Sequence, residues 1–283
     1  MEEKHLASGS DATEKLYYHD SHSREFTATV LSCEEKVTAK GKKEGYRVVL
    51  DRTLFFPEGG GQFGDQGWID GIKVTDTHEK NGVIYHETEA PIAVGTEVKG
   101  ELDYKERFSR MQQHSGEHIC SGMICRRYHC DNVGFHMGAE IVTIDFNAEI
   151  PWEGLLEIEA QANRYLSENH PIQIQVCRGP ELEALDYRSK KELTGDIRIV
   201  SIPNGDTCAC CGTHVAKTGE IGLVKFLTMI HYKGGVRISL LCGEEAVMDY
   251  EKKREELQKI SVFLSAKAGK TADAVEKLKN ELM

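Results

Sequence analysis

The chain has 283 residues, of which 40% are hydrophobic and 29% charged, with 27 glycines; this excludes disordered and collagen-like chains and leaves room for two compact units. Acidic side chains outnumber basic ones by 46 to 35, a net charge of −11, which argues against broad polyanion binding because neutralising phosphates needs a local excess of Lys and Arg. Apolar runs such as 238–242 are too short to cross a bilayer and the amino end lacks a signal-peptide profile, so a cytoplasmic location without membrane contact is expected.

Residues 1–14 show no periodicity and read as a tail. From 15 to 103 the text is strand-like, with short runs at 26–31, 46–50, 53–56, 72–77 and 83–86. Turn signals at 59–61, 64–65, 70–71 and 81–82 separate them, which predicts a small β-barrel-like domain carrying a Gly-rich motif. Beyond 103 the period changes to a helical one. Phe108, Met111, His114, Gly116, His118, Ile119, Met123 and Ile124 recur at helical intervals, as do Leu155, Ile158, Ala162, Tyr165 and Leu166. Strands are expected at 140–146, 172–176 and 197–202, followed by a hairpin of 222–232 and 236–242 turned at Lys233, Gly234 and Gly235. Two long helices with about five strands make 104–243 an α+β, two-layer domain. From 244 to 283 strand signals stop, and heptads from Val247 predict one long helix that pairs with a second copy of the chain.

Nine cysteines are many for a reducing compartment, and three crowd into Cys208, Cys210 and Cys211. Such a cluster reads as metal or thiolate chemistry before disulfides. Upstream, His114 and His118 within HSGEH stand four apart on the first long helix, so both imidazoles face one way and can share a metal. Cys210 and His214, in CCGTH, offer a thiolate and an imidazole from a glycine-containing loop. Zn²⁺ accepts this mixed set. The same HSGEH satisfies HxxEH, in which the Glu serves a zinc peptidase as base, but that reading leaves CCGTH without a role. A third motif, PEGGGQFGDQG from Pro57 to Gly67, lacks the GK[ST] of a phosphate loop, and its glycines do not open a helix as those of a Rossmann turn do. Its glycines permit close approach of a partner or a bulge at a barrel rim.

PEGGGQFGDQG, HSGEH, and CCGTH followed by TGEIG, in this order, resemble the editing domain of alanyl-tRNA synthetase. They are most similar to the free-standing AlaX proteins, over about residues 15–243. The triple-glycine motif and β-rich amino domain resemble the medium and long AlaX types, and the heptad tail resembles a longer form whose carboxyl half lies beyond this chain. The resemblance implies a zinc-dependent hydrolase that removes serine, and glycine as a second error, from tRNA for alanine. An alanine pocket cannot strongly reject a hydroxyl-bearing isostere or a ligand one methyl smaller, because each difference is worth only about 1–3 kcal/mol.

By position, the resemblance makes His114, His118, Cys210 and His214 the zinc ligands, with Cys211 standing where the family usually has glycine, so Cys208 and Cys211 compete for the thiolate role. His136 falls where the family lines its amino-acid pocket, with Asp131 as a second candidate reader of the serine hydroxyl; Gly60, Gly61 and Gln62 are expected at the substrate. Glu117 is the candidate base, though one step off the His114 face it is expected toward solvent. Four protein ligands fill a tetrahedral shell, so either one leaves or the zinc mainly positions substrate for a nearby water. A non-catalytic, zinc-stabilised tRNA-binding module is the alternative. For the tRNA acceptor end, local contacts suffice despite the acidic total. Arg126 and Arg127 are the expected contacts; Lys36, Lys40, Lys42 and Lys43 form one further basic group, and Arg188, Lys190 and Lys191 another.

Overall fold

Alternating burial drives the first part of the chain into strands. The computed structural model describes residues 12–37, 42–189 and 195–282; residues 1–11 of the expected tail, Lys40, Lys190 and Lys191 lie outside them. A two-residue β1 (Glu14–Lys15) is followed by β2 (Glu25–Val37), β3 (Lys43–Leu50), β4 (Arg52–Thr53), β5 (Gly67–Ile69), β6 (Ile72–Lys80), β7 (Val83–Thr88) and β8 (Glu97–Leu102). Six of these pair in the order β2-β3-β7-β6-β5-β8 and close into a barrel, which removes exposed edges. Val30, Val48, Leu50, Phe55, Ile69, Val74, Val98 and Leu102 fill its interior.

The strand expected at 53–56 stops at Thr53. Beyond it the backbone donors find side chains instead of a ladder: Phe55 N donates to Thr53 Oγ1 at 3.0 Å and Phe56 N to Asp65 Oδ2 at 2.7 Å. β5 and β8 have weak sequence signals. β8 reads EVKGEL, yet its alternate residues Val98, Gly100 and Leu102 point inward.

Helix α1 (Tyr104–Tyr128) opens on Asp103, whose carboxylate accepts from Glu106 N, and ends at His129 in a left-handed conformation. After it come β9 (Asn132–Met137), β10 (Val142–Phe146), α2 (Trp152–Ser167), β11 (Gln173–Cys177), a single turn α3 (Pro180–Glu183), β12 (Ile197–Ile202), β13 (Asp206–Ala209), β14 (Val224–Tyr232) and β15 (Gly235–Cys242). An antiparallel sheet ordered β14-β15-β10-β9 lies against α1 and α2, and a smaller sheet is ordered β11-β12-β13. The shared core includes Met111, Ile119, Ile124, Ile144, Leu155, Ile158, Ile238 and Leu240. Residues 111–124 of α1 are buried on every face, so the histidine pair sits in the interior of the domain.

One buried arginine joins barrel and helix. Arg107, without solvent exposure, pairs with Asp65 from the Gly-rich motif and donates to Ser21 O at 3.1 Å. The expected single C-terminal helix is instead α4 (Gly243–Phe263) and α5 (Thr271–Leu282). Ser265 and Gly269 take positive φ between them, at 50° and 72°, and Ser265 carries the strain of that region without glycine's freedom. No described helix is long and apolar enough to cross a membrane.

Candidate metal centre and cavity

A helix and a loop deliver four ligand atoms to one place. His114 and His118 project from successive turns of α1, while Cys210 and His214 come from the loop after β13. Their candidate ligand atoms all lie within 4.8 Å of one another. Cys210 Sγ stands 3.4 Å from both His114 Nε2 and His214 Nε2. A tetrahedral ion with metal–sulfur and metal–nitrogen bonds of about 2.3 and 2.0 Å separates such atoms by about 3.5 Å, so the cluster fits that geometry.

The outward edge of each imidazole is held separately. His114 Nδ1 lies 2.8 Å from Gln62 Oε1, His118 Nδ1 lies 3.0 Å from Asp206 Oδ2, and His214 Nδ1 lies 3.1 Å from Ser115 Oγ. Fixing one ring nitrogen leaves the other free to ligate and sets the ring's orientation. Asp206 is itself gripped by Arg188, whose Nε and Nη2 donate to its two oxygens at 2.7 and 2.6 Å. Burial opposes ionisation of Asp206, but His118 and Arg188 bring its pKa down to about 2.

The three clustered cysteines differ electrostatically. Burial would raise the Cys210 thiol, yet His114 and His214 reverse this and hold it well below the usual thiol range. Burial pushes Cys208 up to about 11 and also raises Cys211. Cys210 is therefore the residue poised as a thiolate, the form that binds metal. Cys211 belongs to neither group of close metal-ligand side chains among the described residues. Cys208 belongs to a second one with His118 and Asp206, but Asp206 there is already engaged by Arg188.

Beside the cluster opens a cavity of about 960 Å³, whose wall includes Gly60, Gly61, Glu117, Phe135, Arg188 and Arg198. The Gly-rich motif reaches it across the domain boundary. Gly61 has φ of 88°, and a Cβ there would lie 2.7 Å from Phe135 O; its own carbonyl accepts from Met137 N at 2.9 Å. Only glycine meets both the conformation and the approach without strain. Phe135 stacks on His114, with ring centres 4.9 Å apart. Gln62 does not line the cavity but sits behind His114, where its Nε2 donates to Thr213 Oγ1 at 2.9 Å.

Other expected site residues fall elsewhere. Glu117 is buried, not turned to solvent: its Oε1 accepts from Ser121 Oγ at 2.6 Å and Asn132 Nδ2 at 2.8 Å, because α1 is enclosed on all sides. Strand alternation on β9 gives the cavity to Phe135, and His136 is exposed beside Phe63, their ring centres 6.4 Å apart. Asp131 is exposed and bound to Asn147, whose Nδ2 donates to it at 3.1 Å. Arg126 donates to Gly205 O and to Asn204 O and lines a separate cavity of about 390 Å³, while Arg127 pairs with Glu157 at the surface. The sequence reading misses Asp206, Ser115, Thr213 and Arg198, and places Arg188 only in a basic group, not behind the metal cluster. An Arg at alternate spacing in DIRIV, facing a core side of β12, was the one available signal.

Residues 1–106 match the family model for class II (A) tRNA synthetases, and residues 197–260 match that for the threonyl and alanyl tRNA synthetase second additional domain. The chain is 37% identical to the alanyl-tRNA editing protein AlaX-L of Pyrococcus horikoshii, over 83% of this chain and 59% of that protein. It is 31% identical to the mouse alanyl-tRNA editing protein Aarsd1, over 94% of this chain and 67% of the mouse protein. Against the alanine–tRNA ligase of Pyrococcus furiosus identity is 34%, over 95% of this chain but 30% of the ligase. The chain spans 59% and 62% of the archaeal AlaX-L and bovine Aarsd1 proteins, respectively.

Proposed function

Since this chain belongs to the alanyl-tRNA editing protein family, we propose that it hydrolyses, in trans, the ester joining serine to tRNA for alanine, with the smaller glycine ester as a second substrate. The observation that carries the reading is the cluster itself: three imidazoles and one thiolate-prone cysteine converge, and His114, His118 and Cys210 line a cavity of about 960 Å³, a size suited to a small ligand or a nucleotide end.

His114, His118, Cys210 and His214 would hold Zn²⁺, whose ligand preference they match. Bound there, zinc supplies a Lewis acid beside the ester. Gln62, Asp206 and Ser115 orient the three imidazoles. Gly60 and Gly61 leave the rim of the cavity without side chains, so the aminoacyl end can approach the backbone closely. Glu117 presents a carboxylate at the cavity wall, held by Ser121 and Asn132, and it is suited to orient a water or the substrate ammonium. The reaction needs no ATP, because ester hydrolysis is downhill. We place the activity in the cytoplasm, acting on the acceptor end of the tRNA. Pairing of two copies through the apolar faces of α4 and α5, where Tyr250 and Leu257 of the first and Leu278 and Leu282 of the second are exposed, is part of the same proposal.

A second reading has one observation in its favour: four protein ligands complete a tetrahedral shell, as in structural zinc sites. Under it the chain binds tRNA without hydrolysis. Measuring bound and hydrolysed seryl-tRNA in parallel for wild type and His118→Ala separates the two. Hydrolysis by wild type alone supports the editing reading, and binding without hydrolysis by wild type supports the other.

A further inference from the structure

Arg198 has a charge that its surroundings satisfy on one side only. It stands on β12, and its Nη1 donates to the carbonyls of Cys210 at 2.8 Å and Gly212 at 2.9 Å, gripping the loop that presents the thiolate. The ring of Tyr18 lies over the guanidinium, 4.9 Å from centroid to Cζ. Its Nε is shielded from solvent and has no hydrogen-bond partner, the one buried side-chain nitrogen in that state among the described residues. Burial works against the charge and pulls its pKa down. A buried cationic donor left without an acceptor is costly and calls for an explanation.

The Nε–Nη2 edge is the fork with which an arginine grips an oxyanion side-on. Arg188 uses it on Asp206 and Arg237 uses it on Asp145. In Arg198 that edge holds no carboxylate, yet the residue lines the large cavity together with Tyr18, Gly60 and Cys210. Arg188 lines it too, but its fork is committed to Asp206. Of the two guanidinium groups in that wall, Arg198 therefore has the donor left for a ligand.

The substrate under the proposed function offers three kinds of group. Its α-ammonium is repelled by a guanidinium, its ester and ribose oxygens are neutral, and its phosphodiesters are anionic with the bidentate geometry that Arg prefers. We propose that Arg198 binds the phosphodiester preceding the terminal nucleotide of the RNA strand, the Tyr18 ring moving off the guanidinium as the strand enters. The inference rests on the editing reading, since it takes the RNA end as the ligand. It assigns Arg198 to the RNA end itself and not only to the metal loop.

The test compares two substrates, seryl-tRNA for alanine and 3′-O-seryl-adenosine, which has the same ester but no phosphodiester. For Arg198→Met the expected result is a KM for seryl-tRNA raised about tenfold more than that for seryl-adenosine, because any loss from the loosened Cys210 loop falls on both substrates alike. Equal losses on both substrates, or no loss on either, overturn the proposal. Zinc content is measured alongside. Should Arg198→Met lose metal through its released loop, Arg198→Lys replaces it, keeping the charge without the fork; a KM increase confined to seryl-tRNA supports the inference, and equal effects on both substrates overturn it. If wild type hydrolyses neither substrate, the editing reading fails by itself. Arg198 is then judged by binding of an RNA hairpin ending in a non-hydrolysable 3′-serylamide. Affinity weakened about tenfold in the variant, with the salt slope reduced by about 0.7 as for one lost single-strand phosphate contact, supports the role; unchanged affinity contradicts it.

Discussion

Gln62 Oε1 lies 2.8 Å from His114 Nδ1, which ties the Gly-rich motif of the barrel to a metal-ligand candidate on the helix of the other domain. Gln62 is 1% exposed and its amide nitrogen is held by Thr213, so the amide cannot turn. Gln62→Leu should leave the fold intact but lower zinc affinity about 10–100-fold, the usual effect of losing such an outer partner. Gln62→Glu, which keeps an acceptor, should recover most of it. Competition against a zinc chelator reads both.

Asp206 does the same for His118 and is itself paired with Arg188, all three being largely buried. Asp206→Asn removes the counter-charge of a buried arginine, and breaking such a pair costs about 3–5 kcal/mol. A lowered urea midpoint together with weakened zinc retention is expected. Weakened zinc retention at unchanged stability would show that the Arg188 pairing contributes nothing to the fold.

Gly61→Ala should be damaging although it adds one carbon. The backbone φ of 88° and the 2.7 Å approach to Phe135 O leave no place for a Cβ. The strain is about 1–3 kcal/mol, and Phe135 stacks on His114, so any relief by moving β9 disturbs the cluster. Thermal denaturation and zinc content should both fall, whereas Gly71→Ala, at φ of 78° with open space around it, should affect only stability.

The barrel has its own acid sensitivity. His86 is fully buried, with Nδ1 3.1 Å from Val48 O and Nε2 2.9 Å from Thr53 Oγ1. Burial lowers its pKa from 6.5 to about 4. Between those values the unfolded chain binds more protons than the folded one, so the stability is complete above pH 6.5 and declines as pH falls towards 4, by about 3 kcal/mol in all. Urea unfolding at pH 7.5 and 4.5 should show this decline for wild type, and a shallower one for His86→Gln.

Much of the site could be seen in the sequence because its ligands come as short spacings, His114 with His118 and Cys210 with His214. The central strands of the barrel and the 197–202 strand were equally visible, since alternation and turn residues are local. What stayed hidden was long-range. Asp206 is 88 positions from His118 and Gln62 is 52 from His114, and no local pattern records such pairings. Gln62 was expected at the substrate for that reason. The helical period alone turns Glu117 toward water, one step off the His114 face, whereas α1 is surrounded. In the tail, the interruption of the heptads at Gly269 was legible, but not the left-handed Ser265 that ends α4 ahead of it.

The most direct measurement is the loss of serine and of alanine from their respective charged forms of tRNA for alanine, timed with zinc-loaded wild type, with Cys210→Ala and without protein. We predict rapid loss of serine with wild type, alanine retained at the spontaneous rate, and spontaneous rates for both with Cys210→Ala. Seryl-tRNA that survives as long with wild type as without protein would contradict the account.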